Sequence, residues 1–133
     1  MNGEWGPLAP PMATTALNTD NFEQTITGND IVLVDFWASW CGPCRSFAPV
    51  FEAASVKNPD LVFAKVDTED QQQLASTFGI MSIPTLMIFR ENVLLFSQPG
   101  ALPAEALDGL IEQVRALDMG EVHKAVAEQA ARG

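Results

Sequence analysis

Four short apolar runs alternate with more polar segments along the chain, over 31–37, 61–66, 85–90 and 93–96. The first run is apolar on both of its alternating faces, which is typical of a central strand covered on both sides. Only Glu91 and Asn92 separate the last two runs, and asparagine tolerates the positive φ that tight hairpin turns need. The pattern therefore predicts strands, the last two of which form a hairpin.

The segments between the first runs predict helices. Asp20 and Glu23 have the spacing of a capping box, so Thr19 or Asp20 should cap a short helix that reaches Ile26. A second helix should begin near Cys41 and run to 57. Pro49 lies inside it and removes one backbone hydrogen bond, so we expect a kink there.

Two further helices are indicated by their end residues. Thr68 and Gln71 form a capping-box pair before a helix that Gly79 should end. Pro103 suits the first turn of a helix whose apolar stripe reaches 117. Strands that alternate with helices, followed by a hairpin and a helix, predict an α/β fold with a mixed sheet covered on both faces.

The two ends of the chain extend beyond this pattern. Residues 1–13 carry three prolines, no positive charge and no apolar stretch, so we interpret them as a loose tail and not as a secretory signal. We therefore expect a cytoplasmic protein. Residues 118–133 predict an extra helix, because Asp118 and Glu121 have capping-box spacing. We expect this helix to pack back on the domain through Met119, Val122 and Val126.

Composition and charge exclude several classes of protein. A chain of 133 residues favours one domain. Seven Lys and Arg against seventeen Asp and Glu give a net charge of −10, and the cations are scattered, so neither nucleic acid nor an anionic membrane surface is an expected partner. No apolar run approaches the roughly 18 residues of a membrane span.

The Cys41-Gly42-Pro43-Cys44 segment directly follows the predicted central strand. Two cysteines at this spacing in the first turn of a helix can form a disulfide. The first of them also lies beside unpaired N–H groups and the positive end of the helix dipole, which favour the reactive thiolate. A purely structural disulfide is an alternative, but a four-residue loop gives about 2 kcal/mol against about 3 for fifteen residues. Half of a metal or iron–sulfur site completed by another subunit is a second alternative.

Three motifs resemble the thioredoxin family: VLVDFWASWCGPC at 32–44, IPT at 83–85 and GAL at 100–102. The resemblance covers 14–117 and implies a thioredoxin-like domain with a sheet of about five strands, followed by the extra helix. It also implies that Cys41 attacks a substrate disulfide and that Cys44 resolves the mixed disulfide. The family's pattern places substrate contacts at seven positions: Trp40, Gly42, Pro43, Ile83, Pro84, Gly100 and Ala101. Pro84 matches a cis-proline that faces the dithiol.

Asp35 is the one charged residue of its otherwise apolar run. If it is buried without a partner, its pKa should rise toward the range useful for proton transfer; if the strand lies at an edge, it simply reaches water. The resemblance implies that this aspartate helps to deprotonate Cys44 through water. It also matches Lys65 to a lysine that pairs with the aspartate, although Lys65 could instead extend from a strand end into solvent.

The sequence thus predicts a protein-disulfide reductase, a monomer that needs no bound cofactor. The family implies protein disulfides as substrates and thioredoxin reductase, a flavoprotein using NADPH, as the electron donor. Two alternatives stay open. One is an oxidase or isomerase, although Gly42 and Pro43 between the cysteines resemble the reducing group. The other is a binding module of the same fold.

Overall fold

A mixed five-stranded sheet forms the centre of the computed structural model, which describes residues 13–133. The elements in chain order are β1 (Thr14–Ala16), α1 (Phe22–Thr27), β2 (Ile31–Trp37), α2 (Gly42–Lys57), β3 (Val62–Asp67), α3 (Gln72–Thr77), β4 (Thr85–Arg90), β5 (Val93–Pro99), α4 (Ala104–Ala116) and α5 (Met119–Arg132). The strands lie in the order β1-β3-β2-β4-β5. β1 and β2 are parallel to β3, whereas β4 is antiparallel to both β2 and β5. The mixed sheet of about five strands is confirmed.

β2 is the central strand, as its apolar pattern predicts, and the sheet is covered on both faces. Val32, Val34 and Phe36 pack with α1 and α3, whereas Ile31 and Leu33 pack with α2 and α4. Alternate side chains of a strand point to opposite faces, so every odd-numbered position of β2 faces α2. This alternation places Asp35, the charged residue of the strand, on the face that α2 covers.

Two of the predicted helix starts are wrong by a few residues. α1 begins after Asn21, because the side-chain oxygen of Asn18 accepts the backbone N–H groups of Asp20 and Asn21 and forms a turn first. α3 begins after Gln71 with no side-chain cap. Thr68 does not cap it, because its N–H and its hydroxyl both donate to the carbonyl of Trp37, at 2.8 and 3.0 Å.

The turns follow the sequence more closely. Asn92 has φ 66° in the β4–β5 hairpin, as expected, and Glu91 has φ 50°. Gly79 has φ 61° just after α3, which confirms its role at the helix end. The three-residue strand β1 has no recognisable apolar run, and no strand was predicted there.

The extra helix exists but packs less than expected. Asp118 caps α5 through the N–H of Glu121 at 3.2 Å, as predicted. Met119 is buried and Val122 half-buried, whereas Val126 is 45% exposed, so the packing expected of Val126 is wrong. Extended backbone at residues 117 and 118 turns the chain away from α4, so α5 meets the domain through its first turn and through His123, which contacts Glu91. The predicted tail over 1–13 lies, apart from Ala13, outside the described residues.

Candidate active site

The two cysteines lie where β2 leads into α2. Cys41 is the N-cap residue of α2, and its Sγ accepts the backbone N–H of Cys44 at 3.1 Å. Their Cα atoms are 5.2 Å apart, and the two sulfurs form a disulfide. A helix N-terminus offers unpaired N–H groups and a positive dipole end, so the position of Cys41 stabilises a thiolate once the disulfide is reduced.

Cys41 is less exposed than a nucleophile at a helix start suggests. Cys41 and Cys44 are 4% and 3% exposed, because they pack in a small cluster with Ala38, Trp37 and Ile83. The Sγ of Cys41 lies 3.7 Å from the carbonyl oxygen of Ile83. The Ile83 backbone therefore forms one edge of the surroundings of the disulfide.

Two loops meet beside the disulfide. The Ile83–Pro84 peptide is cis, as the resemblance implies, and Pro84 is buried. The N–H of Gly100 donates to the carbonyl of Pro84 at 2.8 Å, which ties the loop before α4 to the loop before β4. Gly100 has φ 108°, a conformation that glycine adopts without strain. The structure thus brings Ile83, Pro84, Gly100 and the adjoining, exposed Ala101 together.

The outer rim of the site is formed by exposed residues around Cys41. Trp40 is 65% exposed rather than packed in the core, and its Nε1 donates to the Glu69 carboxylate at 3.2 Å. Gly42 and Pro43 are exposed in the first turn of α2. Met81, two residues before Ile83, is 94% exposed. This rim presents apolar surface next to an otherwise buried disulfide.

Asp35 is buried in the middle of the sheet, 1% exposed, between Lys65 on β3 and Leu86 on β4. The edge-strand alternative is therefore wrong. Neither carboxylate oxygen has a hydrogen-bond partner within residues 13–133. Burial raises the pKa of Asp35 to about 7; the Lys65 ammonium lowers it and the Glu52 carboxylate raises it further, both by smaller amounts. Such a carboxyl can accept or release a proton near neutral pH.

Lys65 lies beside Asp35 in register but forms its ion pair with another residue. Its Nζ lies 3.8 Å from Oε2 of Glu52 and 4.9 Å from the centre of the Trp37 ring. A direct ion pair with Asp35 is absent from the described part of the chain, which corrects the expected pairing. Its side chain is 20% exposed, so the alternative of a solvated strand-end lysine does not describe it either.

Sequence reasoning missed Glu52 and Thr14. Glu52 lies on α2 and accepts the Thr14 hydroxyl at 3.1 Å through the same oxygen that faces Lys65. A glutamate on an amphipathic helix gives no sign of which strand residue it faces. Thr14 belongs to the short strand that had no apolar signature.

Neither a metal centre nor a membrane helix is found among residues 13–133. No group of three or more His, Cys, Asp or Glu side chains in this range is placed to hold a metal ion. No helix of the same segment is both long enough and apolar enough to cross a membrane.

A Cys-x-x-Cys pair at a helix start, above a buried carboxyl on the central strand, defines a thiol–disulfide oxidoreductase. The thioredoxin family model matches residues 13–113. The chain is 62% identical over 120 residues to a Streptomyces coelicolor protein assigned as thioredoxin 2, covering 90% of each. It is 44% identical over 103 residues to a thioredoxin of Alicyclobacillus acidocaldarius, covering 77% of this chain and 98% of the relative.

Solved structures agree with these relatives. A mutant thioredoxin from Halobacterium salinarum matches with a TM-score of 0.73 at 33% identity, covering 83% of this chain and 97% of the other. The chain belongs to the thioredoxin family. Members of this family catalyse protein-disulfide reduction by thiol–disulfide exchange and need no bound cofactor, and Cys41 and Cys44 form the redox-active pair.

Proposed function

We propose that this protein reduces disulfides in protein substrates, with Cys41 as the nucleophile and Cys44 as the resolving cysteine. The observation that carries the proposal is the N-cap position of Cys41, whose Sγ accepts the Cys44 N–H. A charged acceptor strengthens such a hydrogen bond, so the helix start favours the thiolate at Cys41. Cys44 lies within the first turn, where its N–H donates to Sγ of Cys41.

The reaction transfers two electrons in two exchange steps. The Cys41 thiolate attacks one sulfur of the substrate disulfide, forms a mixed disulfide and expels the other sulfur as a thiolate, which takes up a proton. Cys44 then loses its proton and attacks Sγ of Cys41. This step forms the Cys41–Cys44 disulfide and releases the second substrate thiolate, so the substrate is reduced and the protein oxidised.

Asp35 is the group proposed to accept the Cys44 proton. It lies on the face of β2 that α2 covers, and its pKa of about 7 suits proton uptake at neutral pH. Lys65 is assigned a supporting role, because its ammonium lies beside Asp35 in register and favours the charged carboxylate.

The substrate is proposed to bind along the edge formed by the two loops and the start of α2. An extended segment pairing with the Ile83 backbone would place its disulfide at the Cys41 sulfur, 3.7 Å from the Ile83 carbonyl. The remaining contacts are assigned to six small or apolar residues around this edge: Trp40, Gly42, Pro43, Pro84, Gly100 and Ala101.

We extend the proposal to the cellular setting, which membership in the family supports. A separate thioredoxin reductase, a flavoprotein that takes electrons from NADPH, would return the Cys41–Cys44 disulfide to the dithiol. The protein is assigned to the cytoplasm as a monomer. Residues 14–117 would form the catalytic domain and 118–133 an added helix.

Turnover of insulin disulfides by the reduced protein tests the proposal. Cys41→Ser should abolish turnover, whereas Cys44→Ser should accumulate a mixed disulfide with substrate that mass spectrometry detects. Ser46→Ala, on the exposed side of α2, serves as the matched control and should retain activity. Equilibration with glutathione buffers shows in which direction the Cys41–Cys44 pair transfers electrons. A reducing dithiol supports the reductase, whereas a strongly oxidising disulfide would reassign the protein as an oxidase or isomerase.

A further inference from the structure

We infer that Glu52 is a positioning residue for the proton-transfer step, because it holds the Lys65 ammonium away from Asp35. The inference deepens the proposed function and rests on the role of Asp35 given there. Glu52 neither touches the sulfurs nor moves the proton; it decides which carboxylate Lys65 serves.

The geometry places two carboxylates in competition for one cation. Lys65 projects from β3 on the face that α2 covers, directly opposite Asp35 in the parallel register. Its Nζ nevertheless lies 3.8 Å from Oε2 of Glu52, while both oxygens of Asp35 lack a hydrogen-bond partner within the described range. The pairing of Lys65 with the more exposed carboxylate leaves the buried one without a counterion.

Glu52 is itself held in place. The hydroxyl of Thr14, on the edge strand β1, donates to Oε2 of Glu52 at 3.1 Å. The Trp37 ring lies under the Lys65 ammonium, 4.9 Å away, so that Nζ has a second favourable contact on the same side. Strands β1, β2 and β3 and helix α2 thus each supply one part of a fixed arrangement around Nζ.

The same residues line a cavity of about 300 Å³, together with Asp67 and Asp70. A cavity of this size has room for several waters at about 30 Å³ each. The charged groups that face Lys65 across it are therefore Glu52, Asp67 and Asp70, and the ion pair within 4.0 Å is made with Glu52. Of these charges, Lys65 and Glu52 are the ones that shift the pKa of Asp35.

Removal of the Glu52 charge should have two effects on Asp35, and both should lower its pKa. The repulsion between the two carboxylates disappears, and Lys65 is left with Asp35 as its nearest buried anion. Both changes stabilise the charged form of Asp35, so its pKa should fall in Glu52→Gln. Removal of the ammonium in Lys65→Met should have the opposite effect.

The test follows the Asp35 carboxyl carbon by NMR titration in the oxidised protein, where the cysteines do not titrate, and the pH dependence of insulin reduction in the reduced protein. In Glu52→Gln we expect the Asp35 midpoint and the acid limb of the rate profile to move down by about one pH unit. Lys65→Met should move both upward. In the double variant Glu52→Gln/Lys65→Met, the shift that Glu52→Gln causes should be less than half as large, because no Lys65 ammonium is left to pair with Asp35.

Two further variants act as controls. Glu112→Gln removes the same charge from α4, where Glu112 lines a different surface cavity with Lys57, and should leave the Asp35 midpoint unchanged. Glu52→Asp keeps the charge and should keep the midpoint within a few tenths of a pH unit. If Glu52→Gln folds poorly, the comparison of Glu52→Asp with Lys65→Met still tests the inference.

The results separate this inference from the proposed function. An Asp35→Asn variant that keeps the acid limb would overturn the role of Asp35 in proton transfer. An Asp35 midpoint that is unchanged in Glu52→Gln would overturn the inference about Glu52 and leave the proposed function standing. An equal Glu52→Gln shift in the presence and absence of Lys65 would also overturn it, since Glu52 would then act only by direct repulsion.

Discussion

One end of the sheet buries a carboxylate, whereas the other end keeps its carboxylate exposed. At the end where β2 leads into α2, Asp35 is buried with no hydrogen-bond partner among residues 13–133. Lys65 pairs there with Glu52, and both side chains are half-buried. At the other end, the β4–β5 hairpin meets α5, and His123 pairs with Glu91 at 2.7 Å with both side chains close to half exposed. Buried charge is costly and sensitive to its neighbours, whereas exposed pairs contribute little.

The difference separates the end of the sheet that carries the reactive groups from the end to which the extra helix α5 is attached. Strand register and the start of α2 place Asp35, Lys65 and Cys41 at the end that carries the disulfide, which we call the redox end. The helix α5 is attached at the opposite end, which we call the far end, about five residues and therefore roughly 17 Å along β4. Changes at the redox end should be pH-dependent and affect turnover, and changes at the far end should be confined to stability.

The largest effect on stability is expected at Asp35. Burial raises its pKa from 3.8 to about 7, so the folded protein keeps a proton that the unfolded chain releases between these values. The contribution of this proton to the free energy of unfolding is fully present below pH 4. It is lost as the pH rises toward 7, by about 4 kcal/mol in all. Asp35→Asn removes this loss, so relative to the wild type it should gain about 4 kcal/mol between pH 4 and pH 8.

Urea unfolding of both oxidised proteins at the two pH values measures this difference, and ionisations common to both proteins cancel in it. Asp20→Asn is the matched control, because Asp20 is exposed at the turn before α1. It should show no such gain. Equal pH dependence of wild type and Asp35→Asn would show that the buried carboxyl does not carry the cost assigned to it, and the contrast between the two ends would be lost.

Removal of residues 118–133 tests the far end as a whole. The deletion takes away the buried Met119 and the half-buried Val122, so we expect a loss of about 3 kcal/mol in the free energy of unfolding. Insulin reduction should stay within twofold of the full chain, because the redox end lies at the other end of β4. An unchanged melting temperature would refute the packing of α5, and a large loss of activity would refute the independence of the two ends.

Single substitutions in α5 sharpen the same point. Met119 is 7% exposed and Val126 is 45% exposed on one amphipathic helix. Met119→Ala should cost about 2 kcal/mol and Val126→Ala less than about 0.5 kcal/mol by chemical denaturation. Similar costs at the two positions would mean that the helix lies along the domain for its whole length, as the sequence pattern first suggested.

The sequence pattern was most informative where burial and local chemistry agree. The central strand β2, the hairpin with Asn92 and the position of Cys41 at a helix start all follow from short-range signals, and the resemblance supplied the cis Ile83–Pro84 peptide. Tertiary contacts decided the rest. Thr68 looked like a helix cap, but parallel pairing of β2 and β3 brings it to the Trp37 carbonyl.

The same limit applies to the site. The burial of Asp35 followed from the apolar run around it, whereas the partner of Lys65 did not. Glu52 is thirteen residues earlier, on a different element, and meets Lys65 only because both project into the layer between the sheet and α2. The capping-box spacing of Asp118 and Glu121 predicted the existence of α5 and not its direction, which the extended backbone at residues 117 and 118 sets.

The smallest effect is expected for the pair of His123 and Glu91. Their atoms Nε2 and Oε1 lie 2.7 Å apart, but both side chains are more than a third exposed, so solvent screens the attraction. Glu91→Gln should therefore lower the free energy of unfolding by less than about 1 kcal/mol. His123→Gln should cost a similar amount by urea unfolding, and the double variant should show whether the two effects belong to one contact. An effect as large as that of Asp35→Asn would mean that α5 is held by its pair with Glu91 and not by Met119, and the contrast between the two ends would be lost.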